Sequence, residues 1–462
     1  MKKRHVLIIV PVALLILLLA YGISQYLTST VPTGTDTIPT LEVYTPDSDT
    51  ACTSCTDNAA LSDAASATDT TLSPDTDTSD TTDVTDTATT EELPPGPKEI
   101  TLLAIGDMLM HNGAIRSGEQ EDGTRDYTFF FDSIQDYLDT TDIKVVNQET
   151  ILGGNELGFS GYPYFNSPTE LGDSIAKAGF NVVLHATNHA ADQKLSGLLN
   201  CVDFWKTHPE ILMVGITEEP PQTPEERIPL LTVKDTTFAI LNYTYSPNLE
   251  VIPKDIQGHL NMLCNYDEKS GRLDFTTLHP QVLEDIVLAK TMADVVIVFP
   301  HWGTENVMTP STYQVKWAKQ MTEAGADLII GTHPHVIQPV EWIESDNGNR
   351  ALCFYSLGNY VSVQKDPKNM LEAMAYVTFR ESEDGSMEIV PEETGAVPLV
   401  CHYQDKTLRV QRVYLLKNYT KERAETHGIR NYSGKVLYYE DLKKWADDTL
   451  GDFLMSAPPT NQ

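Results

Sequence analysis

Basic residues are scarce in this sequence of 462 residues. Lys and Arg total 32 against 66 Asp and Glu, which gives a formal net charge of −34. Residues 31–97 contain 14 acidic residues and no Lys or Arg, and residues 98–462 contain 52 acids and 29 bases, a net −23. Because nucleic-acid binding needs a basic surface that displaces counterions from phosphates, this balance argues against a nucleic-acid partner.

An apolar run near the N-terminus predicts the cellular location of the protein. Lys2, Lys3 and Arg4 precede residues 6–23, 18 residues without a charge. This length is at the lower limit for a bilayer span and exceeds a usual signal-peptide core. We therefore expect residues 1–30 to be a single-pass signal-anchor in the cell membrane, with the N-terminus cytoplasmic and the remainder extracellular. A signal peptide cleaved near the small residues Ala20 and Gly22 is the alternative, and the lack of a closely following cysteine argues against a lipoprotein.

Residues 31–97 have too few apolar side chains to form a core. They are rich in Thr, Asp, Ser and Ala, so we expect a disordered acidic linker that ends in the Pro-rich segment 94–97. Cys52 and Cys55 lie in this linker, where a local disulfide is more plausible outside the cell than metal binding. The other four cysteines are spread along the chain, and the sequence leaves free thiols and disulfides both open.

From residue 100 onward the chain alternates short apolar runs with amphipathic stretches, which predicts an α/β layered domain. Ser167, Pro168 and Glu170 predict a helix start with Ser167 as its cap. Further helices are expected after residue 189, at 313–324 and at 441–454. Strands are predicted at 100–105, 143–146, 180–184, 238–241, 295–299, 328–330, 351–355 and 410–416.

Polar side chains follow at least five of these strands. In an α/β sheet, ligands bind beyond the carboxyl ends of the strands. The polar residues are hard-oxygen or imidazole ligands, which suit Zn, Mn or Fe and include no thiolate. They are Asp107, Glu149, Asn188, His301, His333 and His335. The segment around Pro334 is expected to be extended, with His333 and His335 on one side of it.

Six motifs in order resemble the CapA family of poly-γ-glutamate capsule biosynthesis proteins, which is similar in turn to the calcineurin-like metallophosphoesterases. The motifs are Gly106-Asp107, Asn147-Gln148-Glu149, Asn188-His189 with Asp192, His301-Trp302-Gly303 with Glu305, residues 331–335 and residues 356–360. The resemblance covers about residues 99–400. It implies a four-layer αββα metallophosphatase-like sandwich with two divalent metal ions, anchored to the membrane and facing outward in Gram-positive bacteria.

Carried over residue by residue, the resemblance implies a two-metal site. Asp107 and His335 would hold the first metal, and Glu149 would bridge both metals. Asn188, His301 and His333 would hold the second. His189 would be catalytic, with Asp192 orienting it.

The sequence departs from the metallophosphoesterase pattern at two positions. Leu109 occupies the place where those enzymes usually have a metal-binding His, and His111 stands two residues further on. The bridging acid is Glu149 rather than the usual Asp, which shifts the metal spacing. The roles of His111, Glu305 and Asn359 therefore stay open, as second-shell or uncertain site residues.

Three functions remain compatible with these residues. The first is an anchored protein that acts in synthesis, export or processing of poly-γ-glutamate or another anionic capsule or cell-wall polymer, in company with other capsule-synthesis membrane proteins. The second is a metal-dependent hydrolase acting on phosphoesters or γ-glutamyl amides. The third is a structural ectodomain with a vestigial site.

The expected domain organisation follows from these segments. Residues 1–30 form the membrane anchor, 31–97 the linker, 98–400 the CapA-like domain, and 401–462 a C-terminal extension that packs on the core. His402 and His427, in that extension, are interpreted as ordinary surface or loop residues.

Overall fold

The strands predicted before the polar motifs are present near the predicted positions. The computed structural model describes residues 97–404 and 407–459. The runs 100–105, 238–241 and 295–299 lie within longer strands, and the run 328–330 matches its strand. The strands are β1 (Glu99–Asp107), β2 (Ile143–Asn147), β3 (Val182–Leu184), β4 (Leu212–Val214), β5 (Leu230–Val233), β6 (Thr236–Thr244), β7 (Cys264–Tyr266), β8 (Leu273–Leu278), β9 (Val295–His301), β10 (Leu328–Ile330), β11 (Val340–Glu344), β12 (Arg350–Phe354), β13 (Leu371–Glu381), β14 (Met387–Ile389), β15 (Gly395–Tyr403) and β16 (Val410–Leu415).

Of the nine α-helices described, six fall between these strands and the last three follow β16. They are α1 (Asn112–Ser117), α2 (Gln135–Thr140), α3 (Thr169–Ala178), α4 (Lys194–Trp205), α5 (Pro280–Met292), α6 (Thr312–Ala324), α7 (Lys421–Thr426), α8 (Ile429–Ser433) and α9 (Tyr439–Leu450). Helix α6 shows why the local sequence is helical. Ser311 and Gln314 form a reciprocal capping box at its start, and Gly325 ends it with a φ of 115°.

Two mixed sheets pack into an α/β sandwich. The first has the order β16-β15-β13-β1-β2-β3-β4, with β14 beside β13, and the second has the order β11-β12-β10-β9-β6-β5. Strands β1 to β4 run parallel, as do β6, β9, β10 and β12. Phe238 on β6 contacts Phe379 on β13 between the sheets, with ring centroids 5.5 Å apart. The parallel strands of each sheet bring their carboxyl ends to one edge, where the motifs begin.

The helix at Thr169 begins differently from the prediction. Pro168 occupies the N-cap position, and no side chain caps the helix. Ser167 was the predicted cap, but its backbone N–H donates to the Ile151 carbonyl and its hydroxyl lies 2.7 Å from Thr150 Oγ1. The predicted serine cap is therefore wrong, because tertiary pairing with the 150–151 segment holds Ser167 outside the helix.

The C-terminal residues are part of the first sheet. The boundary predicted at residue 400 falls inside β15, and β16 pairs with β15 at the edge of the sheet. The interpretation as a surface or loop residue is wrong for His402, which lies on β15, whereas His427 lies in the loop between α7 and α8; both side chains are buried. His402 lies on β15 and His427 contacts it, with ring centroids 4.9 Å apart.

The predicted anchor and linker lie outside the described residues, as do Cys52 and Cys55. Within residues 97–404 and 407–459, no helix is both long and apolar enough to cross a bilayer. The remaining cysteines are free thiols in this part of the chain, and each is buried: Cys201, Cys264, Cys353 and Cys401.

We expect the buried imidazole of His427 to make the fold sensitive to acid. Its Nε2 donates to the Cys401 carbonyl and its Nδ1 accepts from the Ile429 N–H, an arrangement that only the neutral ring can make. Burial, with His402 nearby, lowers the pKa of His427 to about 3. A folded-state pKa below the unfolded value of about 6.5 adds stability above pH 6.5, and that stability is lost as the pH falls toward 3.

The test compares the free energy of unfolding of the wild type and His427→Gln between pH 8 and pH 5. Gln keeps a donor and an acceptor but does not titrate. The wild type should lose about 2 kcal/mol more than the variant over this interval. Parallel pH profiles for the two proteins would contradict a buried neutral His427.

Candidate metal centre

The six predicted metal-binding residues lie together at the carboxyl edge of the two sheets. Asp107 ends β1, Glu149 follows β2, and Asn188 follows β3 in the first sheet. In the second sheet His301 ends β9, and His333 and His335 follow β10. Each of the six is at most 3 % exposed. The strand ends therefore bring oxygen and imidazole side chains from both sheets into one buried cluster.

A close backbone approach fixes the position of Asp107. A Cβ on the preceding Gly106 would lie 2.1 Å from the Gly358 carbonyl oxygen, so only glycine allows β1 to pass there. Asn147 Nδ2 donates to Asp107 Oδ1 at 2.7 Å, and the His333 backbone N–H donates to Oδ2 at 3.2 Å. These contacts orient the carboxylate without neutralising it.

Glu149 lies between the other groups of the cluster. Its Oε1 is 3.8 Å from His301 Nε2, and its Oε2 is 3.8 Å from His335 Nδ1. Neither oxygen has a hydrogen-bond partner, although the side chain is fully buried. Burial, followed by repulsion from Asp107, raises the pKa of Glu149 well above its usual range. A cation between the two imidazoles would remove this cost.

His301 is held by groups on both of its ring nitrogens. Nδ1 lies 2.9 Å from Thr332 Oγ1, and Nε2 lies 2.8 Å from Asn188 Oδ1. The Asn188 amide nitrogen in turn donates to Asn248 Oδ1 at 3.2 Å. Thus Asn188 presents its oxygen, rather than its nitrogen, toward the His301 ring.

The two histidines around Pro334 are not in an extended segment. His333 has a φ of 95° and His335 a φ of 58°, so the predicted period-two geometry is wrong. The rings are nevertheless neighbours, with centroids 5.7 Å apart. Two left-handed residues cost conformational energy, and such strain persists only where the surrounding structure holds it. Here the His333 N–H bond to Asp107 contributes to that support.

The side chains fit a divalent metal. Ligand atoms about 2.1 Å from a metal lie about 3 to 3.5 Å from one another, which is close to the separations of 2.8 to 3.8 Å described above. His333 Nδ1 and both Glu149 oxygens are buried polar atoms without a partner. Two sets have their ligand atoms within 4.8 Å of one another and share Glu149: one with Asp107 and His335, the other with His301 and His333.

Glu305 adds a third carboxylate to the cluster. It is exposed, and its ligand atom lies within 4.8 Å of those of His333 and His335. The backbone N–H of the next residue, Asn306, donates to the Pro334 carbonyl at 2.8 Å and ties the two loops together. Glu305 therefore faces the two histidines from the solvent side.

The charges in the cluster set the protonation of the imidazoles. Burial, then repulsion by neighbouring imidazoles, lowers the pKa of both His301 and His333, so these rings are neutral and can act as ligands. Burial also opposes a charge on His335, but Glu149 and Asp107 outweigh it and raise its pKa to about 10. The carboxylates thus favour a positive charge at the His335 side of the cluster.

Asp192 orients the His189 ring. The His189 Nδ1 lies 2.8 Å from Asp192 Oδ2, and the same oxygen accepts the Phe165 backbone N–H at 2.7 Å. The Phe165 ring packs edge-on against His189, with centroids 4.6 Å apart. His189 is close enough to His301 and His333 to lower the pKa of each.

Comparison with known proteins agrees with this arrangement of motifs. The family model described as bacterial capsule synthesis protein PGA_cap matches residues 101–364, more than half of the chain. The chain belongs to the PGA_cap family. The resemblance to CapA proteins, inferred from the six motifs, is confirmed.

Two curated relatives of this PGA_cap chain are CapA proteins. The PGA biosynthesis protein CapA of Bacillus subtilis (strain 168) is 28 % identical over 46 % of this chain and 50 % of the relative. The capsule biosynthesis protein CapA of Bacillus anthracis is 27 % identical over 64 % of this chain and 67 % of the relative. The alignment thus spans only half the length of the B. subtilis protein.

A solved structure, the NAD nucleotidase NadN of Haemophilus influenzae, has 11 % sequence identity and a TM-score of 0.40. The comparison covers 78 % of this PGA_cap chain and 64 % of that one.

Of the residues left open in this PGA_cap chain, His111 does not join the cluster. Its Nδ1 lies 3.2 Å from the Leu109 carbonyl oxygen and its ring packs near Phe165, with centroids 5.5 Å apart. Its ring nitrogens are in none of the metal-binding groups found among the described residues. The Leu109 side chain is buried in the core. His111 therefore does not replace the imidazole that is missing at position 109.

Some contacts in the site were not predicted from the sequence. Thr332 and Asn248 orient His301 and Asn188, and Tyr245 packs on His333 with ring centroids 4.6 Å apart. Thr332 lies inside a predicted motif, directly before the predicted ligand His333, and this position could have indicated that it contacts the site. Asn248 and Tyr245 lie in the loop after β6, and nothing in their local sequence indicates the site.

We expect Thr332→Val to weaken metal binding by this PGA_cap chain about 10- to 100-fold. A metal-binding imidazole needs an acceptor for the N–H of its second nitrogen, and the Thr332 hydroxyl is that acceptor for His301. Calorimetric titration of chelator-treated protein with Mn²⁺ measures this affinity. Thr332→Ser keeps the hydroxyl and should bind like the wild type. Unchanged affinity in the valine variant would show that the Thr332 contact does not support a metal-binding His301.

Proposed function

We propose that the described domain holds two divalent cations and acts in the synthesis, export or processing of poly-γ-glutamate or a related anionic capsule polymer. The main observation in support of the metal centre is that the two carboxylate oxygens of Glu149 face different imidazoles, one facing His301 and the other facing His335. A buried carboxylate without a hydrogen bond is costly, and one oxygen for each of two cations would compensate it. Membership of the PGA_cap family supports the role in capsule synthesis.

In this proposal the cluster separates into two ligand sets. Asp107, Glu149 and His335 hold the first cation. Glu149 also contributes to the second cation, together with Asn188, His301 and His333. The donors are carboxylate and amide oxygens with imidazole nitrogens, which suit Mn, Zn or Fe.

The proposed reaction is hydrolysis of a γ-glutamyl amide. Bound divalent cations supply Lewis-acid catalysis at the carbonyl and lower the pKa of water. Water adds its oxygen to the carbonyl carbon and gives up a proton, the C–N bond breaks to leave a carboxyl group on the acyl product, and the nitrogen takes up a proton and leaves as an amine. Asp192 fixes the His189 tautomer by accepting from Nδ1, so Nε2 is the atom that carries the transferred proton.

The charge around the site favours an amide over a phosphoester. Asp107, Glu149 and Glu305 are all acidic, and no Lys or Arg forms an ion pair with them within residues 97–404 and 407–459. The group attacked is a neutral carbonyl in the amide and an anionic phosphate in a phosphoester, although the carboxylates of the polymer would be repelled by the same surroundings. A phosphoesterase activity is the second candidate, since His189 and a two-metal centre would also serve that reaction.

The same proposal places the protein at the cell surface. The apolar run at residues 6–23 anchors the chain in the membrane with the N-terminus cytoplasmic, and residues 31–97 carry the domain outward. The finer fold proposed is the four-layer αββα sandwich of metallophosphatases. The expected partners are the polymer and other capsule-synthesis membrane proteins.

The purified full chain, kept in detergent, tests the proposal. We expect two equivalents of metal in the wild type and turnover of poly-γ-glutamate. His333→Ala should lose at least one equivalent. His189→Ala should keep both but turn over at least about 100-fold more slowly, the usual loss when a general acid is removed.

The matched control for this experiment is His208→Ala. His208 pairs with Asp173 and Glu210 away from the cluster, so its removal should change neither metal content nor turnover. A wild type without metal would refute the two-metal centre. Turnover of a phosphodiester, but not of the polymer, that depends on His189 would replace the amide reaction with the phosphoesterase.

A further inference from the structure

The first ligand set is short of donors. Asp107, Glu149 and His335 are its three charged or imidazole members, and Leu109 offers none. A two-metal hydrolase must hold its cation while leaving room for substrate, and three protein ligands are the lower end of what such sites use. A further oxygen near these three side chains would therefore matter for affinity.

The Asn359 side chain provides such an oxygen. Asn359 follows β12 and is fully buried. Its Oδ1 lies 2.9 Å from His335 Nδ1, the same nitrogen that lies 3.3 Å from Asp107 Oδ2 and 3.8 Å from Glu149 Oε2. Three oxygens from different strand ends thus converge on one imidazole nitrogen.

The orientation of the Asn359 amide is determined by its nitrogen. Nδ2 donates to the His335 carbonyl at 3.2 Å and to Gln364 Oε1 at 2.9 Å. Both of these neighbours are acceptors, so the opposite orientation would place an oxygen against two oxygens. Oδ1 is therefore the atom that faces His335.

We propose that Asn359 Oδ1 is a metal ligand that completes the first site and takes the place of the imidazole absent at position 109. This inference rests on the proposed two-metal centre. When a cation occupies His335 Nδ1, that nitrogen has no hydrogen to donate, and the Asn359 oxygen binds the cation instead. An amide oxygen is a hard ligand, of the kind that suits Mn²⁺.

Asn359 also supports the backbone of His335, and the loss of that support in a variant would weaken metal binding just as the loss of a ligand would. Its Nδ2 supports the His335 backbone, and so does Asn369, whose Nδ2 donates to the same carbonyl at 2.9 Å. Asn369 also donates to Asn306 Oδ1 at 2.8 Å. Asn369→Ala is therefore a matched control that loses support for the backbone but no oxygen at the metal.

The experiment is a calorimetric titration of the chelator-treated full chain with Mn²⁺, with metal content checked by mass spectrometry. Asn359→Ala should lose one equivalent, or bind it at least 10-fold more weakly. Asn359→Asp should keep two equivalents, because a carboxylate oxygen replaces the amide oxygen although the Nδ2 donors are lost. Asn369→Ala should also keep two.

The outcomes separate this inference from the two-metal proposal. A wild type that binds two equivalents and an Asn359→Ala variant that binds them equally well would overturn the Asn359 ligand alone. A wild type that binds no metal would overturn the two-metal centre. If Asn359→Ala fails to fold, Asn359→Leu, which keeps the side-chain volume but has no oxygen, decides: the loss of one equivalent supports the ligand, and two equivalents overturn it.

Discussion

The arrangement of this protein depends on buried carboxyl groups that form no ion pair with a Lys or Arg among the described residues. Asp107 and Glu149 lie at adjacent strand ends, and both are fully buried. Their ion-pair neighbours among the described residues are imidazoles, of which only His335 gains protonation from them. Removing carboxylates from water costs several kcal/mol each unless a cation accompanies them. Three features accompany the convergence of ligand side chains on these carboxyl groups. They are the positive φ angles of His333 and His335, the close backbone approach at Gly106, and the Glu149 oxygens without a hydrogen-bond partner.

The sequence was most informative where one short run determines both structure and chemistry. Buried parallel strands are apolar on both faces, so β1, β2, β3, β9 and β10 were visible as mainly apolar runs, and the polar residues after each run marked the sheet edge. These positions sufficed to name the six clustered side chains. Predicting that these side chains cluster required only that the strands end at the same edge of the sheet, and parallel strands do so.

Other features depend on contacts between distant segments and were not predictable. Strand β13 is central in the first sheet, yet Glu372 interrupts its apolar pattern; this buried acid accepts the Gly106 N–H at 3.0 Å, 266 residues away. The conformation around Pro334 was predicted incorrectly because the Asp107 contact overrides the local preference for extended backbone. Likewise, Asn248 gains its role only when the segments that follow β6 and β3 meet.

The acidic surface constrains how a polymer substrate could reach the site. Residues 98–462 carry a net −23, and part of that charge belongs to the cluster, where bound cations would offset it. Long-range attraction would not bring a polyanion to the domain, so association should be slow at low salt and faster as salt screens the repulsion. Close contacts at the cations would then have to supply the affinity.

The four buried thiols of the described chain have a practical consequence. Cys201 lies on α4, Cys264 on β7, Cys353 on β12 and Cys401 on β15, so each samples a different part of the fold. A thiol in the core reacts with alkylating reagents only when its surroundings open. Labelling rates at these four positions would therefore report separately on how often each sheet and its neighbouring helices come apart, with no probe added to the chain.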